Sequence, residues 1–177
     1  TRWTGALARD KTVTLTDTEG SVREVRTRLT DIPAEALFRA FTSLGGEKGW
    51  LTWGWAWKLR GIFDVLIGGP GLRRGRRHPT QLLAGETVDF WRVERVDPPE
   101  RLILRAEMKV PGRAWLTWEV CPENDRTRLV QSAIFQPQGL FGTLYWYAMY
   151  PAHRFIFDGM IDGVISEART IKKKNAA

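Results

Sequence analysis

The sequence predicts an α+β domain in which a curved antiparallel sheet wraps around a long C-terminal helix, with two short helices inserted after the first strand. Three observations lead there. From Pro151 the apolar residues Phe155, Phe157, Met160, Ile161, Val164, Ile165 and Ala168 recur at steps of three and four, and Arg154, Asp158, Asp162, Glu167 and Arg169 fill the other side of an amphipathic helix. Between residues 87 and 136, four stretches are separated by Asp97-Pro98-Pro99-Glu100, Pro111-Gly112 and Pro122-Glu123-Asn124-Asp125, which is turn chemistry between strands. Before them, two helical stripes each stop at a glycine pair, Gly45-Gly46 and Gly68-Gly69.

Taken in order, residues 1–20 have no sustained period and read as a linker or surface arm; the domain occupies residues 21–171 and a basic tail residues 172–177. Residues 22–29 alternate as a half-buried strand does, with Val25, Thr27 and Leu29 on one side and Glu24, Arg26 and Arg28 on the other. Asp31, Pro33 and Glu35 start the first helix, whose stripe is Leu37, Phe38, Phe41 and Leu44; Leu59, Ile62, Phe63 and Leu66 mark a second over residues 56–67. Strands are expected at 87–96, 102–110, 113–120 and 127–136. A three-residue loop, Pro111-Gly112-Arg113, sets Met108 beside Leu116, Ala106 beside Trp118 and Leu104 beside Val120, with Arg105 facing Glu119 outside; a two-residue loop would mix the faces. Trp91 and Val93 join the apolar face, with Asp89 near its end, and Leu129, Gln131, Ala133 and Phe135 complete it. Pro151 suits a first helical position, so residues 140–150 are expected as a separate aromatic turn or short helix.

A chain of 177 residues supports one domain with a real core, and nine tryptophans make it unusually aromatic. The single cysteine, Cys121, excludes an internal disulfide and a thiolate metal cluster. There is no signal peptide, so a cytoplasmic protein is expected, and the start at Thr1 suggests a piece of a longer chain. A net charge of +7 favours an anionic partner, although solubility explains it as simply. The uncharged run 140–152 is too short to cross a bilayer; its Tyr145, Trp146, Tyr147 and Tyr150 could touch a membrane surface, but packing on the sheet is the preferred reading.

Candidate chemistry is sparse. Trp50, Trp53, Trp55 and Trp57 could line a cavity mouth or simply close one end of the sheet. The stretch Gly68-Gly69-Pro70-Gly71-Leu72-Arg73-Arg74-Gly75-Arg76-Arg77 lacks both the dinucleotide glycine spacing and a Walker ending, so its arginines suit a phosphate, a carboxylate or a neighbouring domain, or solvent. No nucleic-acid motif accompanies them. His78 and His153 lie in distant elements without metal-ligand spacing, so no metal is expected; His153 is a satisfied core histidine or an acid–base group facing a cavity. Glu107 is expected to point outward, whereas Asp89 and Gln131 are placed for polar contacts inside.

The order of elements over residues 22–170 resembles the START-like, pollen-allergen-like helix-grip superfamily (SRPBCC). The blocks Gly46-Glu47-Lys48-Gly49-Trp50, Gly71-Leu72-Arg73-Arg74-Gly75-Arg76-Arg77, Asp89-Phe90-Trp91-Arg92-Val93-Glu94 and Leu104-Arg105-Ala106-Glu107-Met108 are similar to an uncharacterised bacterial domain found C-terminal to NAD(P)-binding, short-chain-dehydrogenase-like domains. The resemblance implies a hydrophobic-ligand-binding fold and an N-terminal NAD(P)-binding neighbour in the same chain, and transfers no catalytic residue. The expected function is therefore to bind a small hydrophobic or amphipathic molecule in an internal cavity. Its expected lining is drawn from Trp53, Trp57, Trp91, Met108, Trp118, Gln131, His153 and Phe157, with no cofactor in this domain. A cyclase or dehydratase using Asp89 or His153 in the same cavity, and a docking module for a neighbouring domain or membrane surface, are the alternatives.

Overall fold

The alternation of residues 112–137 builds the centre of the molecule. In the computed structural model, which describes residues 11–18, 20–45, 49 and 81–175, β6 (Gly112–Glu123) and β7 (Arg126–Pro137) pair antiparallel along their whole length. The link is tight, with Glu123 opposite Arg126, and Asn124 adopts a left-handed φ of 53°, a conformation that asparagine tolerates better than most residues. Leu116, Trp118 and Val120 on β6 and Leu129, Gln131, Ala133 and Phe135 on β7 are buried on one face, as the alternation requires.

Around this pair lie β1 (Lys11–Thr18), β2 (Ser21–Thr30), β3 (Thr87–Val88), β4 (Trp91–Asp97) and β5 (Arg101–Ala106), giving one antiparallel sheet in the order β1-β2-β7-β6-β5-β4-β3. Two helices, α1 (Ala34–Thr42) and α2 (Gly139–Asn175), pack against it. Leu37 and Phe41 of α1 and Met160, Ile161 and Val164 of α2 join the sheet residues in one buried cluster, where Phe41 stacks on Trp118 at 5.8 Å. An open antiparallel sheet carrying a long C-terminal helix is the helix-grip arrangement of the α+β class. The expected second helix over residues 56–67 lies outside the described residues, as do Trp53, Trp57, His78 and the arginines at 73–77.

Four expectations differ from the structure. Residues 11–18, read as part of an arm, form the edge strand β1; Val13 and Leu15 are both exposed, so a strand held mainly by backbone pairing to β2 leaves no apolar period. The β5–β6 register is displaced by four residues, with Leu104 opposite Leu116, Leu102 opposite Trp118 and Arg105 opposite Trp115. The displacement is even, so every residue keeps its face. The ladder to β6 ends at Arg105, the Glu107 N–H donates to Phe90 O at 2.8 Å, and Met108 falls in the connection beyond β5.

Helix α2 also runs through Pro151 without a break, over 37 residues or about 55 Å. Proline removes one helical hydrogen bond, but anchors hold both sides: Trp146 stacks on Phe135 at 5.4 Å before it, and Phe157, Met160 and Ile161 enter the core after it. Lastly, a half-buried strand would be expected to turn its apolar side inward. β2 does the reverse: Glu24, Arg26 and Arg28 are buried, and Val25, Thr27 and Leu29 are only half-buried on the opposite face.

Candidate functional site

The inverted strand makes an ionic network between the sheet and α2. Alternation sets Glu24, Arg26 and Arg28 on one face of β2, and Asp158 and Asp162, four apart on α2, lie one turn from each other. Arg26, 1% exposed, donates from Nη2 to Glu24 Oε1 at 2.5 Å and from Nε to Asp158 Oδ1 at 3.0 Å. Its Nη2 also reaches Arg154 O at 3.3 Å, and its guanidinium carbon lies 5.7 Å from the Phe157 ring centre. Arg28 donates to Asp162 Oδ1 at 2.8 Å and to Asp158 Oδ1 at 3.5 Å. Buried cations are tolerated here because each has a carboxylate within hydrogen-bond reach.

Next to the network is a set of polar groups without partners. Arg26 is paired across the sheet with Gln131, and Gln131 with Trp118, so these three share one row of the inner face. Gln131 is 1% exposed and neither its Oε1 nor its Nε2 has a hydrogen-bond partner; Trp118 is 0% exposed and its Nε1 likewise has none. Glu24 Oε2 completes the set. An unpartnered amide oxygen, amide NH₂, indole N–H and carboxylate oxygen together can both donate to and accept from a carbonyl, carboxyl or hydroxyl group.

Of the residues expected to line a cavity, six are described. Gln131 and Trp118 are neighbours on adjacent strands, and Phe157 and His153 stack edge to face at 5.5 Å on α2, with Phe157 under Arg26. His153 also meets Trp146 at 5.2 Å. Trp91 is buried in the main cluster beside Phe90, and Met108 packs half-buried at its margin. A cleft of about 460 Å³ opens elsewhere, at the β1–β2 edge, bounded by Lys11, Arg28, Thr30, Asp31, Arg126, Asp162 and Arg169 among others; none of the six borders it. Arg28 and Asp162 belong to both the cleft and the ionic network, so the network reaches the surface there.

The members missed from sequence are Glu24, Arg26, Arg28, Asp158 and Asp162, which read as solvated charges on a strand and a helix. One signal was available: three charged residues in alternation on a strand, matched by two acids at helical spacing on the element expected to lie against it.

Other candidates fall away from this site. Glu107 points outward, as expected, and pairs with Arg92. Asp89 sits half-buried at the tip of the β3–β4 turn with φ 54°. Desolvation, reinforced by the Glu119 carboxylate, pushes the Cys121 thiol up from its ordinary value, which is the opposite of a reactive thiolate. Among the described residues no group of three or more His, Cys, Asp or Glu side chains could hold a metal, and no helix is long and apolar enough to cross a membrane.

The structure is similar to the crystal structure of CalU16 from Micromonospora echinospora, at 12% identity and a TM-score of 0.43, covering 90% of this chain and 93% of that one. It is also similar to DynU16, from the dynemicin biosynthetic locus, at 18% identity and 0.46, covering 88% of this chain and 48% of that one. A protein from Arthrobacter aurescens matches at 11% identity and 0.49, covering 86% and 91%. No curated protein matches the chain. The family model described as "Protein of unknown function (DUF2867)" matches residues 21–160, a span that holds Glu24, Arg26, Trp118, Gln131 and Asp158, and the chain belongs to that family.

Proposed function

We propose that this domain binds a small hydrophobic or amphipathic molecule between α2 and the inner face of the sheet, with the polar end of the ligand on Gln131. The observation that carries the reading is the Gln131 amide, buried to 1% exposure with both heteroatoms unpartnered. Leaving such a group unpaired costs about 1–3 kcal/mol, and a ligand carbonyl, carboxyl or hydroxyl group would remove that cost. Trp118 Nε1 would donate beside it, Arg26 would supply positive charge, and Phe157 would supply apolar surface.

Kinship with the START-like helix-grip superfamily belongs to the same proposal, as does the larger protein around it. There the domain holds a substrate and an NAD(P)-binding domain N-terminal to it does the chemistry, with no cofactor held here. The test is a thermal-shift panel of fatty acids, aromatic acids and the corresponding hydrocarbons. Carbonyl- or hydroxyl-bearing members should raise the melting temperature of the wild type and leave Gln131→Leu unmoved. A flat response across the panel would overturn the reading.

A further inference from the structure

The N-terminal half of α2 has two unlike sides. Trp146 packs on Phe135, with Tyr145 and Tyr150 against the same small cluster, so one side is held to the sheet. Opposite it, Leu140, Leu144, Tyr147, Pro151 and Phe155 recur at steps of three and four with Phe141 alongside, and all six are exposed. This is a continuous apolar stripe on the outside of the protein, about four turns long. From the exposures of its leucines and aromatic rings, its area is roughly 400–650 Å², the size at which a patch on a monomer is often functional.

Charge and area both bear on what covers it. No acidic residue occurs from Gly139 to Phe157, and Arg154 is exposed at the end of the stripe. At the other end the Gln138 N–H donates to Pro111 O at 2.9 Å, which fixes the β5–β6 connection beside the start of α2. That connection carries the exposed Lys109, and Arg113, the second residue of β6, alternates to the outer face of the sheet. The stripe is thus apolar along its length, without an acidic side chain, and cationic at its Phe155 end. A second copy of the chain would bring the same Arg154 to the contact, and the patch falls short of the roughly 800 Å² per partner that a standard interface buries. An anionic lipid surface suits both features, since apolar side chains enter the headgroup boundary while Arg154 meets lipid phosphates and carboxylates.

We propose that the outer stripe of α2, from Leu140 to Phe155, docks this protein on anionic lipid membranes, lying in the interface without crossing it. The experiment is co-sedimentation of the 177-residue chain with phosphatidylcholine vesicles, with and without phosphatidylserine, over a range of salt. Wild-type protein should partition about tenfold more onto the phosphatidylserine vesicles and lose that preference as salt rises. The exposed double variant Phe141→Ser/Leu144→Ser should lose binding about tenfold while its melting temperature stays unchanged, and Arg154→Glu should fall to the phosphatidylcholine level. No pelleting of the wild type with phosphatidylserine vesicles, or pelleting that the serine variant retains, would overturn the proposal. So would a concentration-dependent dimer in light scattering that the serine variant abolishes while vesicle binding is nil, since the stripe would then belong to a second copy.

Discussion

Replacing Gln131 with leucine should make the ligand-free protein more stable, which is unusual for a fully buried position. Gln131 is enclosed on the inner face of β7 between Arg26 and Trp118, and neither end of its amide is satisfied. Leucine is close to glutamine in volume, so the substitution opens little space, and it removes a desolvation cost of about 1–3 kcal/mol. In a chain of this size that corresponds to a rise in melting temperature of about 2–12 °C. Urea and thermal unfolding of solvent-extracted protein, with the urea slope checked to be unchanged, would measure it. The same variant should lose ligand binding, because the groups that cost stability are those a ligand would satisfy. If Gln131→Leu is instead destabilised by more than about 1 kcal/mol with an unchanged slope, the amide has a partner in the folded protein and the reasoning fails.

Arg26→Met should be destabilised by about 3–5 kcal/mol in equilibrium unfolding, because it keeps the stem but leaves the Glu24 carboxylate buried opposite Asp158 without its cation. Adding Glu24→Gln should recover part of that loss, and a double-mutant cycle that shows no coupling would contradict the network. Gly142→Ala should cost about 1–3 kcal/mol, since a Cβ there would lie 2.3 Å from Pro111 O and 3.0 Å from Pro137 Cα, both backbone atoms that cannot rotate away. A wild-type melting curve for that variant would refute the close approach of α2 to the β5–β6 connection. The Arg128 guanidinium, bonded to Glu123 at 2.6 and 2.9 Å, holds that carboxyl below its ordinary 4.5. The pair's contribution is therefore fully present above pH 4.5 and lost as pH falls through the lower folded value, so Glu123→Gln should flatten that part of the acid limb. An NMR titration that places Glu123 at or above 4.5 would refute it.

The parts of the fold legible from sequence were those where polarity and burial agree. The alternation in β6 and β7 named the inner face residue by residue, and Gln131 stood out there as the one amide among apolar neighbours. Period-two reasoning is blind to even shifts, which is why the β5–β6 pairing moved by four residues while every side chain kept its face. It is also blind to which face is inside when charges on one element find opposite charges on another. β2 was inverted because Arg26 and Asp158 are 132 residues apart and only the fold brings them together. β1 left no signal because both its faces meet solvent or backbone, and Pro151 suggested a boundary that aromatic packing on either side overrides. Of the eight expected lining residues, Trp53 and Trp57 lie outside the described residues, and Trp91 and Met108 sit in and at the margin of the main cluster. Gln131, paired across the sheet with both Arg26 and Trp118, and Phe157 lie beside the ionic network, while the five charged residues of that network were taken for surface.

The central claim, that the buried polar row beside α2 holds a small amphipathic molecule, is tested most directly by native mass spectrometry of the purified wild type and Gln131→Leu, followed by solvent extraction. The account predicts an additional small-molecule mass on the wild type, extractable and bearing a carbonyl, carboxyl or hydroxyl group, and its loss from the variant. A wild type that carries no small molecule and whose tryptophan fluorescence ignores a panel of amphipathic ligands would contradict it.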